Sequence, residues 1–230
     1  MNHQRLDEDG FALFPAAVTP MWTERLAARF ASWELLPDAR QRHGATFAVS
    51  NLLQGDPELR GLLDRSGVTA LVSEALGQRA FPIDALLFDK VPESNWKVPG
   101  HQDVVMPIAE PIDADGFSCL TTRHGQSFGQ PPVEALQDLV AARIHFDDSP
   151  ADNGPLAVVP GSHRRRLTDR ELAEVAPTQF RVCPAVAGDV LLMRPLLVHR
   201  SAPSATPLHR RVLHVVYAWR EAGERVRWRC

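Results

Sequence analysis

Cysteine is scarce: the 230 residues hold three, Cys119, Cys183 and Cys230, an odd number with no C-x-x-C spacing. That argues against a disulfide frame or a zinc knuckle and fits a reducing cytoplasm. Lysine is scarcer still, with Lys90 and Lys97 the only two among 25 basic residues, a bias read as one of composition. Positive charge is not in surplus either. The formal charge is −3, and the one cationic cluster, Arg164 to Arg166, is too short to form a groove, so nucleic acid is not an expected partner. No run of about 18 apolar residues occurs, and Met1 to Glu8 carries charges where a signal peptide needs an apolar stretch. The expectation is a cytoplasmic protein made without an export signal and without a membrane partner.

Internal repeats, Gly/Ser-rich linkers, a P-loop and a G-x-G-x-x-G string are also missing. The string Gly125-Gln126-Ser127-Phe128-Gly129 matches G-x-S-x-G, but it lacks the apolar strand before and the helix after that a nucleophile elbow needs. What is present is an ordinary globular composition, 44% hydrophobic and 23% charged. One domain over 1–230 is expected, with helices at about 19–77 packed on a β core at about 79–219.

Phe11 to Phe14 reads as a strand between Gly10 and Pro15. Thr19-Pro20 reads as an N-cap and first helical residue, and Trp22, Leu26, Phe30 and Trp33 recur at helical spacing through about Leu36 as core. Shorter helices are expected at Pro57 to Leu63 and at Val68 to Leu76, the second closed by Gly77. Strand patterns then follow at Phe81–Val91, Val104–Ile108, Ala141–Asp147, Pro155–Val159, Phe180–Val182, Val190–Met193 and Arg210–Trp219. Many short strands divided by Gly, Pro, Asn and Asp predict a mainly β sandwich or barrel with flanking helices. Asp113 to Pro132, glycine-bearing and without periodicity, reads as a lid or entrance loop, with His124 exposed on it.

The chemistry gathers in the β-rich half. His101 and Asp103 are two residues apart and share one face of an extended strand, as ligands or as a hydrogen-bonded surface pair. His199 emerges from the apolar run Leu196-Leu197-Val198, a position open equally to a buried histidine bonded to a carbonyl. Together the three make two histidines and one carboxylate, a facial triad that leaves three positions of an octahedral Fe(II) free for O2 and a bidentate co-substrate. Ser201 lies two residues after His199 and Arg210 eleven after it, and both suit a carboxylate. Alternation along the last strand leaves Arg210 or Arg211 pointing inward.

The order His101-Gln102-Asp103, then Asn153 to His163, then Gly188 to Tyr217 resembles the phytanoyl-CoA dioxygenase (PhyH-like) family of Fe(II)/2-oxoglutarate oxygenases. Leu86 to Lys90 and Asn95-Trp96-Lys97 also match, and the resemblance runs from about Asp9 to Ala218. It implies a double-stranded β-helix, the jelly-roll or cupin-like core. It implies iron held by His101, Asp103 and His199, and 2-oxoglutarate held at its distal carboxylate by Arg210, helped by Ser201. Arg210 is preferred to Arg211 because the family's arginine falls about eleven residues past the distal histidine. Asp103 is present where related halogenases carry Gly or Ala, which disfavours halogenation. The activity implied is hydroxylation of a small organic metabolite with release of succinate and CO2. Desaturation, cyclisation or epimerisation with the same cofactors is the alternative, and a non-catalytic ligand-binding barrel the third. Substrate contacts are expected from Lys90, Asn95 and Trp96 and, on one face of the strand after Val140, from Arg143 and His145. Lys97 reads as solvated, His163 as structural, His214 as a core or network histidine, and Cys183 as a small buried hydrophobe.

Overall fold

The structure, a computed structural model, describes residues 2–109, 117–123, 126–206, 209–219 and 228. Among them run fourteen strands: β1 (Phe11–Phe14), β2 (Ala39–Arg42), β3 (Ala45–Val49), β4 (Phe81–Asp89), β5 (Val98–His101), β6 (Met106–Ile108) and β7 (Ser118–Arg123), then β8 (Gln126–Gln130), β9 (Leu139–His145), β10 (Leu156–Val158), β11 (Arg181–Cys183), β12 (Val190–Met193), β13 (His199–Ser201) and β14 (Arg211–Ala218). A seven-stranded sheet has the order β1-β12-β9-β14-β4-β3-β2, a four-stranded sheet the order β11-β10-β13-β5, and a three-stranded sheet the order β6-β8-β7. All the pairings are antiparallel. The protein is mainly β, a cupin-like double-stranded β-helix with helices on one side.

The large sheet is apolar on both faces, and period-two alternation sorts its residues into two cores. Val140, Ala142, Ile144, Val190, Leu192, Leu213, Val215 and Tyr217 face the helices and pack with Leu26, Trp33, Leu59, Leu63 and Val72. Their neighbours in sequence, Leu139, Ala141, Leu191, Met193, Val216 and Ala218, pack with Leu156, Val158 and Cys183 of the four-stranded sheet. The active cavity opens between these two sheets. Cys183 is buried, as its apolar reading requires.

The helical layer departs from the uninterrupted Pro20–Leu36 helix read from the spacing. The helix Pro20–Ala27 stops, and a single turn Phe30–Trp33 follows. Thr19 sits extended at the N-cap with Pro20 behind it, but its side chain caps nothing. A buried polar knot accounts for the break: Arg29 donates to both oxygens of Asp56, at 2.8 and 2.6 Å, and Trp33 Nε1 donates to the same carboxylate at 2.8 Å. Meeting Asp56 fixes the second turn's direction independently of its helical period. The helix Val68–Leu76 and its Gly77 cap, at φ +62°, agree with the sequence reading. The Pro57–Leu63 expectation becomes Leu59–Arg65.

Part of the expected lid is regular instead. β7 and β8 pair as a hairpin, and Ser127 lies within β8, opposite Ile108 and Thr122, not at a strand-to-helix elbow. Residues 110–116, His124 and Gly125 lie outside the described residues. Among the described residues, no helix is long and apolar enough to cross a membrane.

Candidate active site

His101 and His199 are direct partners across the antiparallel β5–β13 pair. Opposite residues in a ladder share a face, so both imidazoles enter the space between the sheets, with ring centroids 4.1 Å apart. Asp103 lies just beyond β5 rather than on the strand as expected, and its N–H donates to the Pro195 carbonyl at 2.9 Å. Between the two ligand candidates, Gln102 turns the other way. Its amide donates to the Leu196 and Arg165 carbonyls at 2.5 and 2.9 Å and accepts from the Leu167 N–H at 2.7 Å, which anchors the segment.

The ligand atoms of His101, Asp103 and His199 all lie within 4.8 Å of one another. Asp103 Oδ1 is 3.6 Å from His101 Nε2, and Oδ2 is 3.7 Å from His199 Nε2. Each ring is oriented by its far nitrogen: Nδ1 of His101 donates to the Pro99 carbonyl at 2.9 Å and Nδ1 of His199 to the Leu197 carbonyl at 2.8 Å. A carbonyl accepts only, so the proton sits on Nδ1 and the Nε2 lone pair is free toward the shared point. Burial opposes the Asp103 charge, but the surrounding imidazoles and Arg143 outweigh it and hold the carboxyl below its usual range. Burial also drives the His199 imidazole down to about 4, so it stays neutral and able to ligate. Two imidazoles with their Nε2 atoms turned to one point and one carboxylate, on one side of an open cavity, fit a divalent transition metal.

A fourth histidine stands beside them without joining them. His214 Nδ1 accepts from Arg143 Nη1 at 3.2 Å, which leaves the proton on Nε2, 3.9 Å from Asp103 Oδ2. Its lone pair is taken.

The cavity measures about 300 Å³ and is lined on one side by Leu86, Phe88 and Val216 and on the other by Val98, Leu156 and Phe128. Its polar wall holds Asp84, Arg143, Ser201, Arg210 and His214. The choice between the adjacent arginines is settled by their partners. Arg211 turns outward, its Nε and Nη2 gripping Asp147 at 2.8 and 2.6 Å. Arg210 turns in and is 3% exposed. Its backbone N–H donates to Asp89 at 3.0 Å, Nη1 donates to the Gly154 carbonyl, and Nε has no partner among the described residues. Gly154 holds φ +55°, and a Cβ there would collide with the Ala202 carbonyl. Only glycine allows that approach, which explains the Asn153-Gly154 of the sequence.

Of the residues read as substrate contacts, Trp96 and Arg143 line the cavity. Asn95 and His145 do not. Asn95 instead ties down the Ser204 loop, accepting from its N–H at 2.7 Å and donating to its carbonyl at 2.8 Å, because a short polar side chain completes this loop closure. His145 is buried against the Asp189 carbonyl at 3.3 Å, at the last position of β9. Lys90 is fully buried behind the wall, where Nζ donates to Ser201 Oγ at 3.1 Å and to the Ala202 carbonyl, and lies 5.5 Å from the Trp96 ring. Burial, then Arg210 and Arg143, lower its ammonium to about 7. Lys97 is exposed, as expected. Sequence reasoning missed Asp84. The available signal was a carboxylate in the middle of an apolar run, on the face that carries Leu86 and Phe88; burial raises it to about 7.

The profile of the phytanoyl-CoA dioxygenase (PhyH) family matches residues 6–212. The chain belongs to the phytanoyl-CoA dioxygenase family. It is thus an enzyme of the Fe(II)/2-oxoglutarate-dependent class, and the resemblance read from the motifs holds. Among solved structures it is similar to AviO1 from Streptomyces viridochromogenes, at 25% identity over 94% of this chain and 93% of that one, with a TM-score of 0.66. The epimerase SnoN, solved with Fe3+, alpha-ketoglutarate and nogalamycin RO, is 19% identical over 94% of this chain and 82% of that one, with a TM-score of 0.69. EctD from S. alaskensis, solved with 2-oxoglutarate and 5-hydroxyectoine, is 18% identical over 94% of this chain and 74% of that one, with a TM-score of 0.70. At such identities the likeness to SnoN and EctD is one of fold. No curated protein matches.

Buried imidazoles leave a trace in the stability of this dioxygenase-family protein. Burial, with Arg143 nearby, lowers His145 to about 4, so between pH 6.5 and 4 the unfolded chain takes up a proton that the folded one refuses. Stability carried by the neutral ring is present above pH 6.5 and lost as the pH falls. In urea unfolding of metal-free protein, His145→Gln should gain about 2 kcal/mol relative to the parent between pH 7 and pH 5. A pH-independent difference between the two proteins would contradict the assignment.

Proposed function

We propose that the protein hydroxylates a C–H bond of a small organic metabolite, using Fe(II), 2-oxoglutarate and O2. The observation that carries this is one cavity with two ends: a metal-competent His101, Asp103 and His199 cluster, and a buried Arg210 whose Nε has no partner among the described residues. Iron with 2-oxoglutarate supplies the oxidising chemistry: O2 gives one atom to succinate, formed with CO2, and the other to the substrate carbon.

The protein's part is placement. His101, Asp103 and His199 would hold the metal, their ligand atoms lying within 4.8 Å of one another at the cavity wall. Arg210 meets the distal carboxylate of 2-oxoglutarate with fixed, desolvated donors, and Ser201 adds a hydroxyl from the facing strand. Lys90 holds Ser201 and the Ala202 turn in place. Trp96 and Arg143 line the part of the cavity left for substrate, and the Leu86, Phe88 and Phe128 side chains keep water from it.

An anaerobic titration of metal-free protein with Fe(II) and then 2-oxoglutarate tests the reading by visible absorption. A chelate charge-transfer band that saturates with 2-oxoglutarate is expected; iron binding without the band would remove the co-substrate from the scheme. Among products formed in turnover, a mass gain of one oxygen per succinate marks hydroxylation. Loss of two hydrogens, or no mass change, would assign desaturation or epimerisation instead.

A further inference from the structure

Asp84 is a cavity carboxylate that the proposed chemistry leaves unused. With Leu86 and Phe88 it alternates down one face of β4, and all three line the cavity. The pairing of β4 with β14 slips at this point: Val216 faces Asp84 and Tyr217 faces Pro82, so Ile83 is an extra residue. A bulge of this kind re-aims the side chains beside it. Ile83 packs into the core that holds Val216 and Met106, and Asp84 stands half-buried at the cavity wall.

What Asp84 lacks is a cation. Other carboxylates drawn into the fold have one: Arg29 grips Asp56, Arg211 grips Asp147, and three imidazoles with Arg143 surround Asp103. Among the described residues Asp84 has the Ala85 N–H, donating to Oδ1 at 2.9 Å, and the like charge of Asp103. The charges of Arg143, Arg210 and Lys90 do not reach it. Withdrawing a carboxylate from water without a cation is costly, and burial pushes its carboxyl up to about 7.

The co-substrate leaves this position free. Arg210 precedes the first residue of β14, and Val216, which faces Asp84, lies six residues along, roughly 20 Å at about 3.3 Å per residue. His214, between the two on the same face, has Nε2 3.9 Å from Asp103. The metal cluster therefore separates the Arg210 end of the cavity from the Asp84 end, where Leu86 and Val216 make the adjoining wall apolar.

We propose that the substrate carries an amine, bound as its ammonium by Asp84 at the end of the cavity opposite Arg210, with its carbon skeleton reaching back toward the metal. This rests on the Fe(II)/2-oxoglutarate reading above. An ammonium brings both the charge and the donors that Asp84 lacks, whereas an alcohol of the same shape brings a donor alone, so Asp84 is a specificity-determining residue.

Benzylamine and butylamine, with benzyl alcohol and butanol as uncharged matches, are suitable probes. Each is titrated by calorimetry into metal-free protein, where no iron can take the amine, and into anaerobic protein holding Fe(II) and 2-oxoglutarate, where the charge-transfer band is also followed. At neutral pH the amines are expected to bind about tenfold more tightly than the alcohols in both forms. Asp84→Asn, which keeps the shape and the bond from Ala85, should bring amine and alcohol to equal affinity, and Asp84→Glu should keep part of the preference. In Asp84→Asn the half-saturating concentrations of Fe(II) and 2-oxoglutarate should stay within about threefold of the parent. The melting temperature of metal-free Asp84→Asn should equal or exceed the parent's, because the substitution removes a charge that has no cation in the empty cavity; a marked fall would make Asp84 a structural group and overturn the proposal. Alcohols that bind the parent as tightly as amines, or an amine preference that survives Asp84→Asn, also overturn it. So does a large loss of iron or 2-oxoglutarate affinity in Asp84→Asn, which would place Asp84 in the metal site. Absence of the band before any probe is added is the separate failure of the underlying reading, and titration of the metal-free protein still decides the ammonium site.

Discussion

Asp103→Ala should lose the 2-oxoglutarate charge-transfer band and reduce succinate formation by at least a thousandfold, on the order of 4 kcal/mol of lost transition-state stabilisation. The carboxylate is the one anionic ligand of the set, and its two oxygens face the two Nε2 atoms at 3.6 and 3.7 Å. Without it, two imidazoles remain to hold a divalent cation, with Arg143 close by and no longer offset. Affinity falls for both reasons. Folding should persist, because the segment is held by Gln102 and by the Asp103 backbone, neither of which the substitution removes. Metal content after gel filtration, the absorption band and the melting temperature together check the prediction. Full band intensity in Asp103→Ala at stoichiometric iron would discard Asp103 as a ligand.

Arg210→Met should raise the half-saturating concentration of 2-oxoglutarate about a hundredfold, corresponding to the roughly 1.5–3 kcal/mol that a charge-assisted hydrogen bond contributes. Arg210 is 3% exposed, so its bonds to a carboxylate are not screened by water, and methionine matches its length without a donor. The neighbouring Arg211→Met is the control that separates charge from position. Its guanidinium grips Asp147 on the other face of the strand, so the co-substrate requirement should stay within twofold or threefold. Equal effects at the two positions would mean that overall positive charge, not a directed contact, governs binding.

The candidate metal set was legible as a cluster because each member carried its own local sign. The pair His101 and Asp103 came from i, i+2 spacing, and His199 from a histidine closing a buried run; the motif order then joined them to one family. Strands such as Phe11–Phe14 and Val190–Met193 were legible to the residue, since apolar runs between turn signals permit little else. Less of the N-terminal half could be read. The Arg29–Trp33–Asp56 knot joins positions 27 and 23 residues apart, and no local pattern announces it. The hairpin of β7 and β8 was hidden because Thr, Ser and Gln on a partly exposed ribbon show no hydrophobic alternation.

The substrate side divides the same way. Alternation placed Arg143 and His145 on one face of β9, yet one lines the cavity and the other packs under the Asp189 carbonyl. A period of two assigns a face, not a depth along the strand. Asn95 and Trp96 are adjacent, but one closes a loop and the other lines the cavity. By itself the sequence determined the fold class and the candidate ligand types and their order, because these depend on residue chemistry and short-range spacing. The tertiary structure alone decided which of two adjacent arginines faces inward, that a fourth histidine has its lone pair occupied, and that Arg143 is buried close enough to Asp103 to act on it. Each of those depends on what residues from distant strands leave empty or fill, and the register of β14 between β9 and β4 sets that.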